Sequence, residues 1–147
     1  MIRLVALDVY GTMIASDDGD WSFPPRQGLE GFLDECGKRN VIVVTSSDGE
    51  TQAVKRDLSI SFGLVSERGL CIEKFGEFFR LEHPPNSGKD YSVIIGNYDI
   101  IPRELLIVDD KSEHVHAALR LGCLAVQCPE YRTNGEREWD FSKIRLE

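Results

Sequence analysis

Long apolar runs are missing from this chain: the longest, such as Val41 to Val44 and Leu105 to Val108, fall far short of a bilayer span. A secretory leader is missing too, because charged Asp8 interrupts the apolar start Met1-Ile2-Arg3-Leu4-Val5 and no cleavage site follows. These absences predict a cytoplasmic protein with no membrane partner. Cysteine is sparse and poorly spaced for cross-links: Cys36, Cys71, Cys123 and Cys128 make no Cys-x-x-Cys pair and no histidine stands at zinc-finger spacing. A disulfide framework and a zinc site are therefore not expected. Positive charge is also short, with 17 Lys and Arg against 25 Asp and Glu, a net charge of −8 and no basic cluster. A protein that grips nucleic acid through its phosphates needs a basic face, so nucleic acid is not favoured as a partner. Neither Gly-x-Gly-x-x-Gly nor a P-loop pattern occurs, which leaves a nucleotide-binding module with little support.

What is present fits a single globular domain over residues 1–147, with 41% apolar and 29% charged residues. Two stretches read as loops, Ser16 to Gln27 and the Pro-rich turn from His83 to Gly88. Between them strand and helix signals alternate. Ile2 to Leu7 and Val41 to Val44 are apolar strands. Leu29, Phe32, Leu33 and Cys36 mark one face of a helix. Ser47 with Glu50 has the form of a capping box and predicts a helix starting at Asp48. Phe62 to Val65 reads as a short third strand, and residues 70 to 82 as a small hairpin broken at Gly76. Tyr91, Ile94, Ile95 and Tyr98 have helical spacing; then come a strand over Leu105 to Val108, a helix over Lys111 to Leu121, and a strand over Cys123 to Gln127. Phe141 to Leu146 reads as a last strand. The fold class is α/β: a three-layer, Rossmann-like, doubly wound parallel sheet with a small β-hairpin insertion.

In such sheets ligands bind at the carboxyl ends of the strands. Asp8-Val9-Tyr10-Gly11-Thr12 follows the first strand, Thr45-Ser46-Ser47 the second, and Asp109-Asp110-Lys111 the fourth, while Lys89 opens the preceding helix. This set suits phosphoryl transfer. A carboxylate attacks phosphorus, hydroxyls and a lysine offset charge on the equatorial oxygens, and several carboxylates hold a hard cation such as Mg²⁺.

Taken in order, these motifs resemble the haloacid-dehalogenase superfamily across Ile2 to Val126. An apolar strand ends in Asp-x-x-Gly-Thr at Asp8, a second ends in Thr45, a lysine follows at Lys89, and a later strand ends in the acidic pair Asp109-Asp110, with Ala117-Ala118 and Leu121-Gly122 after it. The resemblance implies a hydrolase, a phosphatase or phosphotransferase that works through an aspartyl-phosphate. Asp8 is then nucleophile and metal ligand, and the Tyr10 carbonyl, Asp109 and Asp110 complete the Mg²⁺ site. Thr45, Ser46 and Lys89 hold the phosphoryl group. Asp110 with Glu113 equally fits a helix cap. Most phosphatases of the family carry a second aspartate where Tyr10 stands; Asp-x-Tyr-Gly-Thr is closer to the metal-free dehalogenases. A metal-independent dehalogenase-type hydrolase and a catalytically silent binding module are therefore the alternatives.

The gaps between Asp8, Thr45 and Lys89 are too short for a full lid domain. An open site points to a phosphorylated macromolecular substrate, to a homo-oligomer that supplies cover, or to no turnover at all. Neutralising Asp8 is expected to relieve carboxylate repulsion. His83, His114 and His116 read as surface histidines. Asp17, Asp18 and Asp20 read as a solvated loop with a minor claim to the acid/base role, and Trp21 and Phe23 as gating or anchoring side chains.

Overall fold

The computed structural model describes residues 1–16, 23–65, 70–135 and 139–146. The loop readings for Asp17, Asp18, Asp20 and Trp21 lie outside these residues. Five strands form one all-parallel sheet: β1 (Leu4–Leu7), β2 (Ile42–Ser47), β3 (Glu77–Arg80), β4 (Leu105–Asp109) and β5 (Leu124–Gln127), in the order β3-β2-β1-β4-β5. Four α-helices accompany them: α1 (Leu29–Lys38), α2 (Thr51–Phe62), α3 (Ser92–Tyr98) and α4 (Ser112–Leu121). Among the described residues there is no large cap domain. Among the described residues, no helix is long and apolar enough to cross a membrane.

Strand alternation divides the core in two. On β1, Val5 and Leu7 join the cluster formed with α1 and α2 through Leu29, Phe32, Val54 and Leu58. Leu4 and Ala6 point the other way, into the cluster that contains Ile94 of α3 and Ala118 of α4. Both faces of the sheet are covered, which is why β1 and β4 are uninterrupted apolar runs. The strand order reverses between β1 and β4, so the ligand crevice of the fold lies between their carboxyl ends.

Three elements differ from the sequence-based expectation. Residues 70–81 form no hairpin. Ile72–Lys74 is a single 3₁₀ turn, and Glu77–Arg80 pairs in parallel with β2, from Val44 opposite Glu77 to Ser47 opposite Arg80. Bonds from Gly76 N–H to Val43 O (2.8 Å) and from Leu81 N–H to Ser47 O (2.8 Å) continue that pairing at both ends. The exposed edge of β2 offers more partners than a local hairpin would. Phe62 to Val65 is likewise not a strand, because α2 runs on to Phe62 and caps at Gly63. The segment after residue 140 is a 3₁₀ turn, Phe141–Lys143, whose buried Phe141 seats against Phe32 of α1 at a ring distance of 5.5 Å. The cap of α2 moves as well. Its N-cap is Glu50, which accepts from Gln52 N–H (3.0 Å) and Ala53 N–H (2.9 Å), while Ser47 accepts from Gly49 N–H.

Candidate active site

The parallel pairing of β1 with β4 brings Asp8 and Asp109 level, with Asp8 N–H donating to Val108 O at 3.0 Å. After Asp8 the chain turns tightly: Met13 N–H donates to Val9 O (2.9 Å) and Gly11 N–H to Ile14 O (2.7 Å). Gly11 has φ +85°, and a Cβ there would stand 2.7 Å from Asp110 Oδ2. Only glycine fits both demands. Thr12 Oγ1 lies 3.1 Å from Asp8 Oδ2 and 3.4 Å from Asp110 Oδ1, so its hydroxyl links the two carboxylates. Arg26, buried, braces the turn from behind with Nη1 donating to the carbonyls of Gly11 and Thr12 at 3.4 Å each. Its guanidinium sits 4.6 Å from the Trp139 ring centroid and 5.2 Å from that of Tyr131.

Lys89 is the centre of the arrangement. Its buried Nζ donates to Asp8 Oδ1 and to Asp109 Oδ2, both at 2.9 Å. Oxygens of Asp8, Asp109 and Asp110 all lie within 4.8 Å of one another. The three acids respond differently to this crowding. Burial opposes the Asp8 charge, but the Lys89 ammonium and the hydrogen bonds from Asp110, Lys89 and Thr12 outweigh it and hold that carboxyl below the usual range. Burial, then the Asp8 charge, pushes Asp109 up to about 6. Burial, with the hydrogen bond and charge of Asp8, pushes Asp110 up to about 8. Asp110 Oδ2 is buried and has no hydrogen-bond partner. An all-oxygen cluster that one lysine leaves short of positive charge fits a small hard cation such as Mg²⁺.

Thr45 and Ser46 are fully buried, and both hydroxyls lack a hydrogen-bond partner. The register sets Thr45 beside Leu7 and puts Ser46 one step further toward the strand ends. Tyr10 lines the cleft, but its hydroxyl donates to Asp57 Oδ2 of α2 at 2.7 Å. Burial, then the bond to Asp57 and its charge, raises the phenol well above its ordinary value. The cleft over Asp8 has a volume of about 280 Å³, and Asp48, Lys111 and Glu130 complete its rim. A larger cavity of about 440 Å³, between α1 and the C-terminal segment, contains none of the strand-end residues.

One residue of the site escapes the sequence reading. His114 is buried rather than on the surface, and its Nδ1 accepts the backbone N–H of Lys89 at 3.1 Å. Burial, then the Lys89 and His83 charges, pushes its imidazole down to about 4. His83 is partly buried, stacked edge-on at 4.5 Å from the His114 ring and 3.1 Å from Asp48 Oδ2. His116 is exposed, as expected. The available signal was position: His114 stands one turn after Asp110, in the first turn of α4.

No family model matches the chain, and no curated protein matches it significantly. Solved structures do. A predicted phosphoglycolate phosphatase from Haemophilus somnus superposes with a TM-score of 0.66 at 14% identity, over 92% of this chain and 89% of that one. CbbY from Rhodobacter sphaeroides, in complex with xylulose-(1,5)bisphosphate, gives 0.69 at 12% identity, over 96% and 92%. L-2-haloacid dehalogenase from Xanthobacter autotrophicus, with chloropropionic acid covalently bound, gives 0.64 at 12% identity, over 86% and 77%. The chain thus has the haloacid-dehalogenase-like fold, with no large cap among the described residues.

Proposed function

We propose that this protein is a Mg²⁺-dependent phosphatase or phosphotransferase that forms an aspartyl-phosphate on Asp8. The observation that carries the reading is the unequal state of the three clustered carboxylates: Asp8 is held ionised, while burial and the Asp8 charge push Asp109 and Asp110 up although Lys89 bridges Asp8 and Asp109 and Lys111 stands 4.0 Å from Asp110. Asp8, Asp109, Asp110 and the Tyr10 carbonyl would hold the ion, which when bound offsets the repulsion between the nucleophile and an anionic substrate. Lys89 and Thr12 orient the Asp8 carboxylate through its two oxygens. Asp8 forms a bond to phosphorus as the bond to the leaving oxygen breaks; water then attacks phosphorus and returns the carboxylate. Lys89 and the unpartnered hydroxyls of Thr45 and Ser46 are the donors for the phosphoryl oxygens.

Small phosphorylated metabolites are the first substrate class, and the open rim also admits a phosphorylated macromolecule. A single domain and a cytoplasmic setting go with this reading; Cys36, Cys71, Cys123 and Cys128 are all free thiols. A second, metal-free dehalogenase-type reading has one observation in its favour, the tyrosine at position 10. An aryl phosphate assayed with Mg²⁺ and with a chelator separates the two. Mg²⁺-dependent phosphate release and a trapped fluoroberyllate adduct are expected. Chelator-resistant halide release from a 2-haloacid would replace this reading with the second.

A further inference from the structure

We propose that His114 is a positioning residue: a neutral imidazole, protonated at Nε2 alone, that anchors the backbone of Lys89 and leaves an N–H donor at the cleft. The inference rests on the phosphoryl-transfer reading of the cleft for its functional meaning, but not for its chemistry. A backbone N–H can only donate, so the bond from Lys89 N–H requires a lone pair on His114 Nδ1. The single ring proton of the neutral form must then sit on Nε2. Charging the ring would put a proton on Nδ1 against that N–H and beside the Lys89 ammonium.

The anchoring has a second, independent support. The residue before Lys89 is Gly88, where a Cβ would lie 2.4 Å from Ala117 Cβ and 2.5 Å from Glu113 O. The chain at 88–89 is therefore pressed onto the first turns of α4, and His114 supplies the polar half of that contact. Lys89 Nζ has to bridge Asp8 and Asp109 from this fixed backbone. His114 shares the cleft with Asp8, Lys89 and Tyr10. Since the Tyr10 hydroxyl is committed to Asp57, the Nε2–H of His114 is a proton-bearing group of the cleft that has no hydrogen-bond partner among the described residues. A neutral histidine in this role polarises an acceptor oxygen without carrying charge, a known use of imidazole in catalysis.

The test uses the full chain with ring-¹⁵N-labelled histidine at neutral pH. Proton–nitrogen correlation spectra are expected to show His114 as the Nε2–H tautomer, and its Nε2–H signal should move on addition of fluoroberyllate and Mg²⁺. His114→Phe leaves the Lys89 N–H buried without an acceptor and should weaken fluoroberyllate binding roughly tenfold or more. His114→Asn offers an acceptor oxygen near the position of Nδ1 and should recover most of that loss. The Nδ1–H tautomer, an imidazolium, or unchanged binding in His114→Phe would overturn the anchor. Should His114→Phe not fold, the wild-type spectrum decides alone. An unmoved Nε2–H signal while fluoroberyllate binds would overturn the donor at the cleft. An Nε2–H tautomer in a chain that binds no fluoroberyllate upholds the anchor and removes the phosphoryl-transfer reading instead.

Discussion

Asp110 is where this site is least comfortable. Its carboxyl is buried, one oxygen has no partner, and its proton is held up to about 8 against an ordinary value near 3.8. The folded state thus binds this proton more tightly than the unfolded chain does, so the contribution of Asp110 to metal-free stability falls as pH rises from about 4 to 8. Asp110→Asn removes that dependence. In the presence of a chelator it should raise stability at pH 8 by on the order of a few kcal/mol, seen as a higher melting temperature, and change little at pH 4. Thermal scans across pH check it, and wild-type protein at pH 8 should be stabilised by Mg²⁺ in a concentration-dependent way. Neutralising Asp8 should relieve the same repulsion, because its charge raises both Asp109 and Asp110, but it also gives up the charge that Lys89 and Thr12 are bonded to. Asp8→Asn has a different consequence: phosphate release should fall by roughly a thousandfold or more, since the amide cannot form the acyl-phosphate. Turnover within tenfold of wild type would exclude Asp8 as nucleophile. Tyr10 carries a further expectation. With its hydroxyl bonded to Asp57 it cannot accept a proton at neutral pH, and an absent acid/base costs roughly 10²–10⁴-fold. An aryl phosphate, whose leaving group needs no proton, should therefore outrun an alkyl phosphate in kcat/KM by a factor in that range.

At the scale of elements, two glycines make opposite predictions. Gly88→Ala forces a Cβ into Ala117 and Glu113 O, and should cost about 1–3 kcal/mol and loosen Lys89. Gly96→Ala, on α3 with nothing within 4 Å of the new Cβ, should stabilise by about 0.5–1 kcal/mol through helix propensity alone. Denaturant titrations of both variants measure the contrast. The same scale explains what could be read from the sequence. β1, β2 and β4 were legible because a strand buried in a parallel sheet needs an apolar run, and the two strand-end acids follow from those runs. β3 was not. Glu77-Phe78-Phe79-Arg80 shows strand character, but whether it pairs with a neighbouring hairpin arm or with the free edge of β2 depends on an element thirty residues away. His114 was hidden for a related reason. Spacing on a helix tells which side chains share a face; it does not tell that Lys89 will arrive opposite that face from another part of the chain.

For the molecule as a whole, the net charge of −8 would oppose the anionic substrate proposed above. Lys89 and Lys111 act inside the cleft, where Asp48 and Glu130 also stand, so the long-range field opposes encounter while the local one favours binding. Raising ionic strength from about 0.01 to 0.15 M shortens the screening length from roughly 30 to 8 Å and should raise kcat/KM for a phosphomonoester at saturating Mg²⁺. A fall over that range would mean that the cleft, not the whole surface, governs encounter. The order β3-β2-β1-β4-β5 has a consequence of another kind, in time rather than in space. β1 is central, and its partner β4 lies about a hundred residues downstream. Contacts of such wide separation form slowly, since a long loop must close before they contribute. A growing or interrupted chain that stops short of Asp109 carries Asp8 with neither its acidic partners nor the helix that seats Lys89. The proposed reactivity toward phosphate esters would therefore be among the last properties the folding chain acquires.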